Sequence, residues 1–245
     1  MTYCLAMSLA EGLVFASDSR TNAGVDYVTT FSKMHVFTPA SDRIFVVLTA
    51  GNLATTQEVL HHLKRDMDAA DAKESLRTVR YLFEAAQYLG RVSCEVQRSH
   101  AVAMQKAGFS TEGSFILGGQ IRGQAHGLFL VYPQGNFISA SPETPYLQIG
   151  ETKYGKPGLD RVIDARLALE DGARLALVSL DATMRSNISV GPPLEVAICP
   201  KDGFAIARYL NLKLESPFYR ALREQWQAGL REAFRHLPRF EWEGG

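Results

Sequence analysis

Short apolar runs dominate the first fifty positions of the chain. The runs YCLAM and LVFAS flank a turn-like Ala-Glu-Gly, a pattern that predicts a β-hairpin. A second pair, KMHVF and RIFVVLT, is separated by a stretch rich in turn-forming residues. Because these runs are almost continuously apolar, we expect the strands to be covered on both faces.

The pattern then changes from that of strands to that of helices. Apolar residues at helical spacing predict one helix from Leu53 to about Met67 and a second from Ser75 to about Ser99. The intervening DMDAADAKES is short and charged. It is therefore expected to be an exposed connection between helices rather than a domain boundary.

The second half of the chain returns to strands and then alternates with helices. SFILGGQI and HGLFLVYP predict two strands around a Gly-rich turn, YPQGNFIS predicts a second turn, and a loop is expected from there to Tyr154. The remaining predicted elements are, in chain order, a helix over Tyr154–Ile163, a helix over Leu169–Met184, a hairpin of LEVAI and FAIARYL, and a helix over Pro217–Phe234.

The last predicted helix carries its large apolar side chains on one stripe, formed by Phe218, Leu222, Trp226, Leu230 and Phe234. Such a stripe is typical of a contact between subunits, to which the terminal RFEWEGG would add. It is equally typical of a core helix that is followed by a frayed tail. The sequence leaves both interpretations open.

This order of elements predicts an α+β protein. Two stacked antiparallel sheets with helices outside each would bury all the strands, which gives a four-layer αββα sandwich. Periodicity alone is also compatible with three layers. Because no linker, low-complexity tract or tandem repeat divides the sequence, we expect a single domain over residues 1–245.

Composition narrows the classes of partner and the compartment. The 26 Lys and Arg residues balance the 26 Asp and Glu residues, so no net charge favours nucleic acid or an anionic membrane. No apolar segment reaches the roughly 20 residues that span a bilayer. The start of the chain lacks the basic region of a signal peptide. The widely spaced Cys4, Cys94 and Cys199 are typical of buried free thiols, so we expect a cytoplasmic protein.

The histidines give no reason to expect a metal. The six histidines, including the pair at 61–62, show no ligand spacing, and the pair is typical of a solvated helix face. Neither a metal nor an organic cofactor is expected.

Thr2 is the first candidate for chemistry. A threonine hydroxyl is a weak nucleophile that needs a base. The α-amine of Thr2, with a pKa of about 7.7–8.0, would be that base once Met1 is removed. Threonine at the second position is also common in proteins without such chemistry, so this residue alone decides nothing.

Asp18 and Lys33 strengthen the case. Lys33 lies in the apolar run KMHVF, where its side chain would share a face with Phe31 and His35. A buried ammonium needs a partner, and Asp18 is the candidate. An ammonium beside the Thr2 amine would lower the amine pKa and keep it neutral. The alternatives are a lysine that reaches water from a strand edge and an aspartate that only forms a turn.

Gly51 lies where a predicted strand meets a predicted helix, in TAGNLATTQ. The first amides of a helix lack internal partners, so the Gly51 N–H could stabilise an oxyanion formed by attack of Thr2. A tight turn with a helix N-cap explains the same residues without any chemistry.

Thr2, Asp18, Lys33 and Gly51, in this order and spacing, resemble the N-terminal-nucleophile hydrolases of the proteasome β-subunit superfamily. The resemblance covers nearly the whole chain and is greatest to the bacterial Anbu branch. It rests on the stretches SDSRTNAGVDYV, FSKMHVF, TAGNLATTQ, FILGGQI, YPQGN, GETKYGKP and DATMRSNISVGPPLE. It implies the αββα sandwich, a cytoplasmic location and assembly into a homo-oligomer that is a ring, a lock-washer or a helix.

The resemblance also implies roles for particular residues. Thr2 would be the nucleophile of a threonine-type peptidase or amide hydrolase, and Gly51 its oxyanion donor. Asp18 and Lys33 would be the charged partners of Thr2, and Ser189 would support it. The implied substrate-pocket residues are Thr21, His35, Thr49 and Leu53. Whether an ATPase acts with the protein stays open.

Two positions depart from the proteasome pattern. Ser186 stands where an aspartate is expected, and Glu151 stands where a serine is expected. The loss of a carboxylate at the first position would change the environment of the Thr2 amine, and Glu151 could restore the charge. A catalytically weak or inactive assembly protein of the same fold is therefore the alternative to a peptide or amide hydrolase.

Overall fold

A computed structural model describes residues 1–22 and 28–244 of the chain. Residues 23–27, part of the SDSRTNAGVDYV stretch, and the final residue of the tail lie outside this description. The strands are β1 (Tyr3–Leu9), β2 (Gly12–Asp18), β3 (Arg20–Asn22), β4 (Val28–Thr30), β5 (Met34–Ala40), β6 (Arg43–Gly51), β7 (Gly113–Ile121), β8 (Gly127–Val131), β9 (Phe137–Ser139), β10 (Tyr146–Gly150), β11 (Leu194–Pro200) and β12 (Arg208–Leu212).

Five α-helices complete the described part of the chain. They are α1 (Leu53–Asp68), α2 (Leu82–Lys106), α3 (Lys156–Val162), α4 (Leu169–Ser186) and α5 (Pro217–Arg235), followed by a short 3₁₀ helix at Glu241–Gly244. None of the helices in residues 1–22 and 28–244 is long and apolar enough to cross a membrane.

Two five-stranded sheets form the centre of the molecule. The first has the order β10-β1-β2-β11-β12 and the second β5-β6-β7-β8-β9, while β3 and β4 pair as a separate hairpin. All of these pairings are antiparallel.

Three layers of buried apolar side chains separate the elements. One lies between the first sheet and α3, α4 and α5, one between the second sheet and α1 and α2, and one between the two sheets. The middle layer excludes a three-layer arrangement, because each sheet is covered by helices on one face and by the other sheet on its second face. The predicted four-layer αββα sandwich is confirmed.

Two element predictions need correction. The second helix spans Leu82–Lys106 rather than Ser75 to about Ser99. It starts later because residues 76–78 form a turn and the Glu84 carboxylate accepts hydrogen bonds from the amides at 80 and 81. The predicted loop before Tyr154 contains β10, a five-residue strand that pairs with β1.

A third correction concerns the thiols. Cys4 and Cys199 are buried as expected, but Cys94 is only half-buried.

In α5, Tyr219 is buried, whereas Phe218 and Leu230 are about half exposed. Helix α5 therefore packs on the core through Tyr219 and Leu222, while much of its predicted apolar stripe is exposed.

Candidate active site

Thr2 is held in place by the strand that sequence reasoning missed. Its carbonyl oxygen accepts a hydrogen bond of 2.7 Å from the backbone N–H of Glu151, directly after β10. Gly150 has a φ of +84°, and a Cβ atom there would lie 2.0 Å from the Thr2 carbonyl oxygen. Glycine is therefore required at this position for the backbone of Thr2 to approach β10.

Asp18 and Lys33 form a buried ion pair beside Thr2. The Lys33 Nζ donates to Asp18 Oδ1 at 2.6 Å, and the two side chains are 6% and 0% exposed. The N–H of Tyr3, the residue after Thr2, donates to the same Oδ1 at 3.0 Å, and the N–H of Gly191 donates to Oδ2 at 3.1 Å. Burial raises the pKa of the Asp18 carboxyl, and these donors oppose that rise.

The sequence pattern predicts Lys33 inside a strand, but the structure places it just before one. It precedes β5 and is buried, while Phe31 is exposed and His35 is half-buried. Its Nζ also donates to the Arg20 carbonyl oxygen at 2.7 Å, and its carbonyl oxygen accepts from the Thr49 N–H at 3.0 Å. The Asp18 carboxylate and the Arg20 carbonyl oxygen are the partners that a buried ammonium requires.

The positive charge of Lys33 reaches the amino-terminal amine. Burial lowers the pKa of the Met1 α-amine, Lys33 lowers it further, and Asp18 and Glu151 act in the opposite direction. The Thr2 nitrogen is a peptide amide while Met1 is attached, and an amide is not a base. Hydrolysis of the Met1–Thr2 bond would give Thr2 an amine in this same set of charges.

Gly51 ends β6 and is exposed. Its φ is +110°, and a Cβ atom there would lie 2.3 Å from the Glu112 carbonyl oxygen. The N-cap of α1 is Asn52, whose side chain accepts from the Thr55 N–H at 3.1 Å. Capping is thus performed by the next residue, and the need for glycine at 51 comes from its conformation and from the close backbone of 112.

The segment after α4 closes over Asp18. Asn187 caps the helix, and its side-chain oxygen accepts from the Ser189 N–H at 2.9 Å. Arg20 Nη1 donates to the Ile188 carbonyl oxygen at 2.7 Å, which holds this segment against β3. Ser186 is the last residue of α4 and is exposed.

The four implied pocket residues lie on four different elements, β3, β5, β6 and α1. Thr49 is buried in β6, and Leu53 is half-buried at the start of α1. Thr21 lies in β3, and its Oγ1 is buried with no hydrogen-bond partner among the described residues. His35 lies in β5, where burial and then Lys64 lower its pKa to about 4 while Glu195 opposes the shift.

Solved structures place the chain in a family. Neither a family model nor a curated protein matches it. It is 44% identical to an Anbu (ancestral beta-subunit) from Yersinia bercovieri, with a TM-score of 0.89 over 98% of this chain and 99% of that chain. The chain belongs to the Anbu family. It is also 42% identical to the chain of the helical assembly of the Anbu complex from Pseudomonas aeruginosa, with a TM-score of 0.90 over 99% of this chain and 100% of that chain.

A third Anbu structure, from Hyphomicrobium sp. strain MC1, is 38% identical, with a TM-score of 0.87 over 98% of this chain and 99% of that chain. The resemblance to proteasome-like proteins of the Anbu branch is therefore confirmed over nearly the full length. These relatives show the family and the fold. They do not by themselves assign roles to residues of this chain.

Sequence reasoning missed one buried carboxylate in this member of the Anbu family. Glu195 lies in β11 opposite Ser17 and is 3% exposed. It accepts hydrogen bonds from Ser17 Oγ at 3.4 Å, Ser19 Oγ at 3.2 Å, Ser32 Oγ at 2.9 Å and the Tyr209 hydroxyl. Three of these donors adjoin Asp18 or Lys33, so Glu195 joins the two segments that carry the ion pair. The signal in the sequence was a single Glu in the otherwise apolar LEVAI.

Proposed function

We propose that this protein is a threonine-type peptidase or amide hydrolase in which Thr2 becomes the nucleophile after the Met1–Thr2 bond is cleaved. The observation that carries the proposal is the buried Lys33–Asp18 pair, whose carboxylate also accepts from the amide of the residue after Thr2. A buried ion pair is of little use for stability alone, because the desolvation of two charges offsets most of their attraction. Its position beside Thr2 favours a role in chemistry.

The reaction proceeds through an ester. The Thr2 hydroxyl attacks the carbonyl carbon of the substrate amide while its proton passes to the Thr2 amine. The C–N bond then breaks, and that proton goes to the leaving nitrogen. Water next attacks the ester, the bond between carbon and Oγ breaks, and Thr2 recovers its hydroxyl proton. The sum is hydrolysis of one amide to a carboxylic acid and an amine.

The surrounding residues contribute charge and position. Lys33 keeps the amine neutral at cellular pH, because a nearby cation disfavours protonation. Gly51 N–H stabilises the tetrahedral oxyanion. Ser189, held through Asn187, supports the nucleophile from the segment after α4.

The substrate is a peptide or another amide. Thr21, His35, Thr49 and Leu53 would line a modest and partly polar pocket. The unpartnered and buried Thr21 hydroxyl supports a polar contact there, because a buried hydroxyl without a hydrogen bond is unfavourable. No nucleic acid, membrane or cofactor has a part in this proposal.

The protein works as a homo-oligomer in the cytoplasm, as a ring, a lock-washer or a helix of copies of one domain. Two observations support this. A 42% identical Anbu structure is described as a helical assembly. In this chain, an apolar groove between α4 and α5 lies open, lined by Leu175, Val178, Phe218, Leu222 and Trp226.

One observation favours a second function, that of an assembly protein with weak or no activity. Ser186 occupies the position where the proteasome pattern has a carboxylate, and its side chain is exposed at the end of α4. Such a protein would keep Met1, and its Thr2 would stay an amide.

Intact mass spectrometry of the purified protein separates the two functions. Loss of one methionine is expected under the first. The chain should then be released from a cleavable fusion with Thr2 as its first residue and tested on a library of fluorogenic peptide amides. Turnover that is lost in Thr2→Ala and mostly retained in Thr2→Ser supports the proposal. No turnover by the released form, or equal turnover by Thr2→Ala, contradicts it.

A further inference from the structure

Glu151 is hydrogen-bonded through its backbone to the residue proposed as the nucleophile. Its backbone N–H donates to the Thr2 carbonyl oxygen at 2.7 Å, and the preceding Gly150 admits this contact because it has no Cβ. The pairing of β1 with β10 fixes the register, since Tyr3 lies opposite Gly150. Thr2 and Glu151 are therefore held together by the backbone, independently of their side chains.

The side chain of Glu151 is oriented by Asn187. Asn187 Nδ2 donates to Glu151 Oε2 at 3.1 Å, while Asn187 Oδ1 accepts from the Ser189 N–H at 2.9 Å. An amide that donates on one side and accepts on the other has a fixed orientation. A chain of contacts thus runs from the segment after α4, through Asn187 and Glu151, to Thr2.

The two carboxylates near the amino terminus are used differently. Asp18 already accepts from Lys33 Nζ, from the Tyr3 N–H and from the Gly191 N–H. Among the described residues, the Glu151 carboxylate accepts a hydrogen bond from Asn187. A carboxylate has about four acceptor positions, so Glu151 retains capacity for a further donor.

We infer that Glu151 is a positioning residue that holds the Thr2 α-amine when that amine carries the proton taken from the hydroxyl. This inference rests on the proposed function. Lys33 favours the neutral amine that accepts the proton, and Glu151 stabilises the ammonium that forms. The two charges act in opposite directions on the same group, as they do on the amine of Met1.

The charged groups that reach this amine come from three segments. Lys33 precedes β5, Asp18 ends β2, and Glu151 follows β10. Removal of the Glu151 charge leaves the amine with Lys33 and an already occupied Asp18. The amine pKa should fall, and the weaker base should transfer the proton more slowly.

The test uses protein released with Thr2 as its first residue and labelled with ¹³C at threonine Cα. Carbon NMR then gives the pKa of the α-amine in the parent and in Glu151→Gln, which is nearly isosteric. We expect the pKa to fall by about 1 unit in Glu151→Gln. Glu151→Asp should restore part of the shift. Glu143→Gln, which removes an exposed carboxylate from the loop before β10, should leave the pKa unchanged.

Kinetics give a second readout. In Glu151→Gln, the acid limb of kcat/KM against pH should move down with the amine pKa, and kcat should fall about tenfold with little change in KM. An amine pKa in Glu151→Gln equal to that of the parent overturns the inference, whether or not the protein is active. A parent that does not turn over any amide contradicts the proposed function instead, and the amine pKa still reports on the pairing with Glu151.

Discussion

Lys33 Nζ lies 2.6 Å from Asp18 Oδ1, with both side chains buried next to the start of β1. The pair joins β2, the segment before β5 and the backbone of Tyr3. Its chemistry and its contribution to folding can be tested by the same substitution.

Lys33→Ala should abolish turnover and also destabilise the protein, because it leaves the Asp18 carboxylate buried without its cation. Breaking a buried pair in this way costs about 3–5 kcal/mol in the free energy of unfolding. Urea unfolding and amide turnover check both effects. Lys201→Ala, at an exposed turn, is the matched control and should change neither. A stable Lys33→Ala protein would contradict the buried pair.

Gly150→Ala should displace Thr2. The new Cβ would lie 2.0 Å from the Thr2 carbonyl oxygen at a φ of +84°, so β1 and β10 must separate locally. We expect loss of turnover and a lower melting temperature. Gly123→Ala has a similar φ of +81° but open space around the new Cβ. It should show only the backbone strain of about 1–2 kcal/mol and keep its activity. Equal effects of the two variants would mean that strain, and not the approach to Thr2, matters.

Glu195→Ala should leave the hydroxyls of Ser17 and Ser19 without their buried acceptor. An unsatisfied buried polar group costs about 1–3 kcal/mol, so the midpoint of urea unfolding should fall. Glu195→Gln should lose less, because an amide oxygen can still accept. Glu215→Ala, at an exposed position, provides the comparison. If Glu195→Ala unfolds at the parent midpoint, the network does not stabilise the fold.

His35 should make stability depend on pH. Burial lowers its pKa to about 4 from an ordinary value of 6.5, so the unfolded chain binds the proton first as the pH falls. The contribution of His35 to the free energy of unfolding is fully present above pH 6.5 and is lost as the pH falls towards its folded-state pKa of about 4. In His35→Gln, the free energy of unfolding should depend less steeply on pH in this window. His236→Gln, exposed near the carboxyl end, should retain the parent slope.

Phe218→Glu combined with Leu230→Glu should reduce assembly. Both side chains are about half exposed on α5, and a charge there cannot be buried against a second copy without a partner. Sedimentation velocity should show smaller species, while circular dichroism stays unchanged. Glu224→Gln on the same helix should assemble like the parent. Assembly that persists in the double variant would assign the interface to another surface.

Helix α1 shows that a local pattern of apolar residues can predict the bounds of a helix. Its apolar stripe predicted a helix from Leu53 to about Met67, and the structure has Leu53–Asp68. The start of α2 differs from the prediction because it depends on the Glu84 carboxylate in the first turn, which accepts hydrogen bonds from the amides at 80 and 81. Strand β10 was missed because a run of five residues after a proline is too short to show a clear alternation of apolar and polar positions. Its extended conformation depends on pairing with β1.

The sequence alone determined the helices and most of the strands, and it pointed to Thr2, Asp18, Lys33 and Gly51 as candidate residues, because apolar periodicity and residue chemistry are local properties. The buried layer between the two sheets, which only the tertiary structure shows, decided four layers rather than three. Tertiary structure decided which carboxylates adjoin Thr2. Glu151 reaches it through the register of β1 and β10, and Glu195 reaches the segments of Asp18 and Lys33 through the pairing of β2 and β11. Such long-range pairings bring together residues far apart in the chain, and no local pattern encodes them.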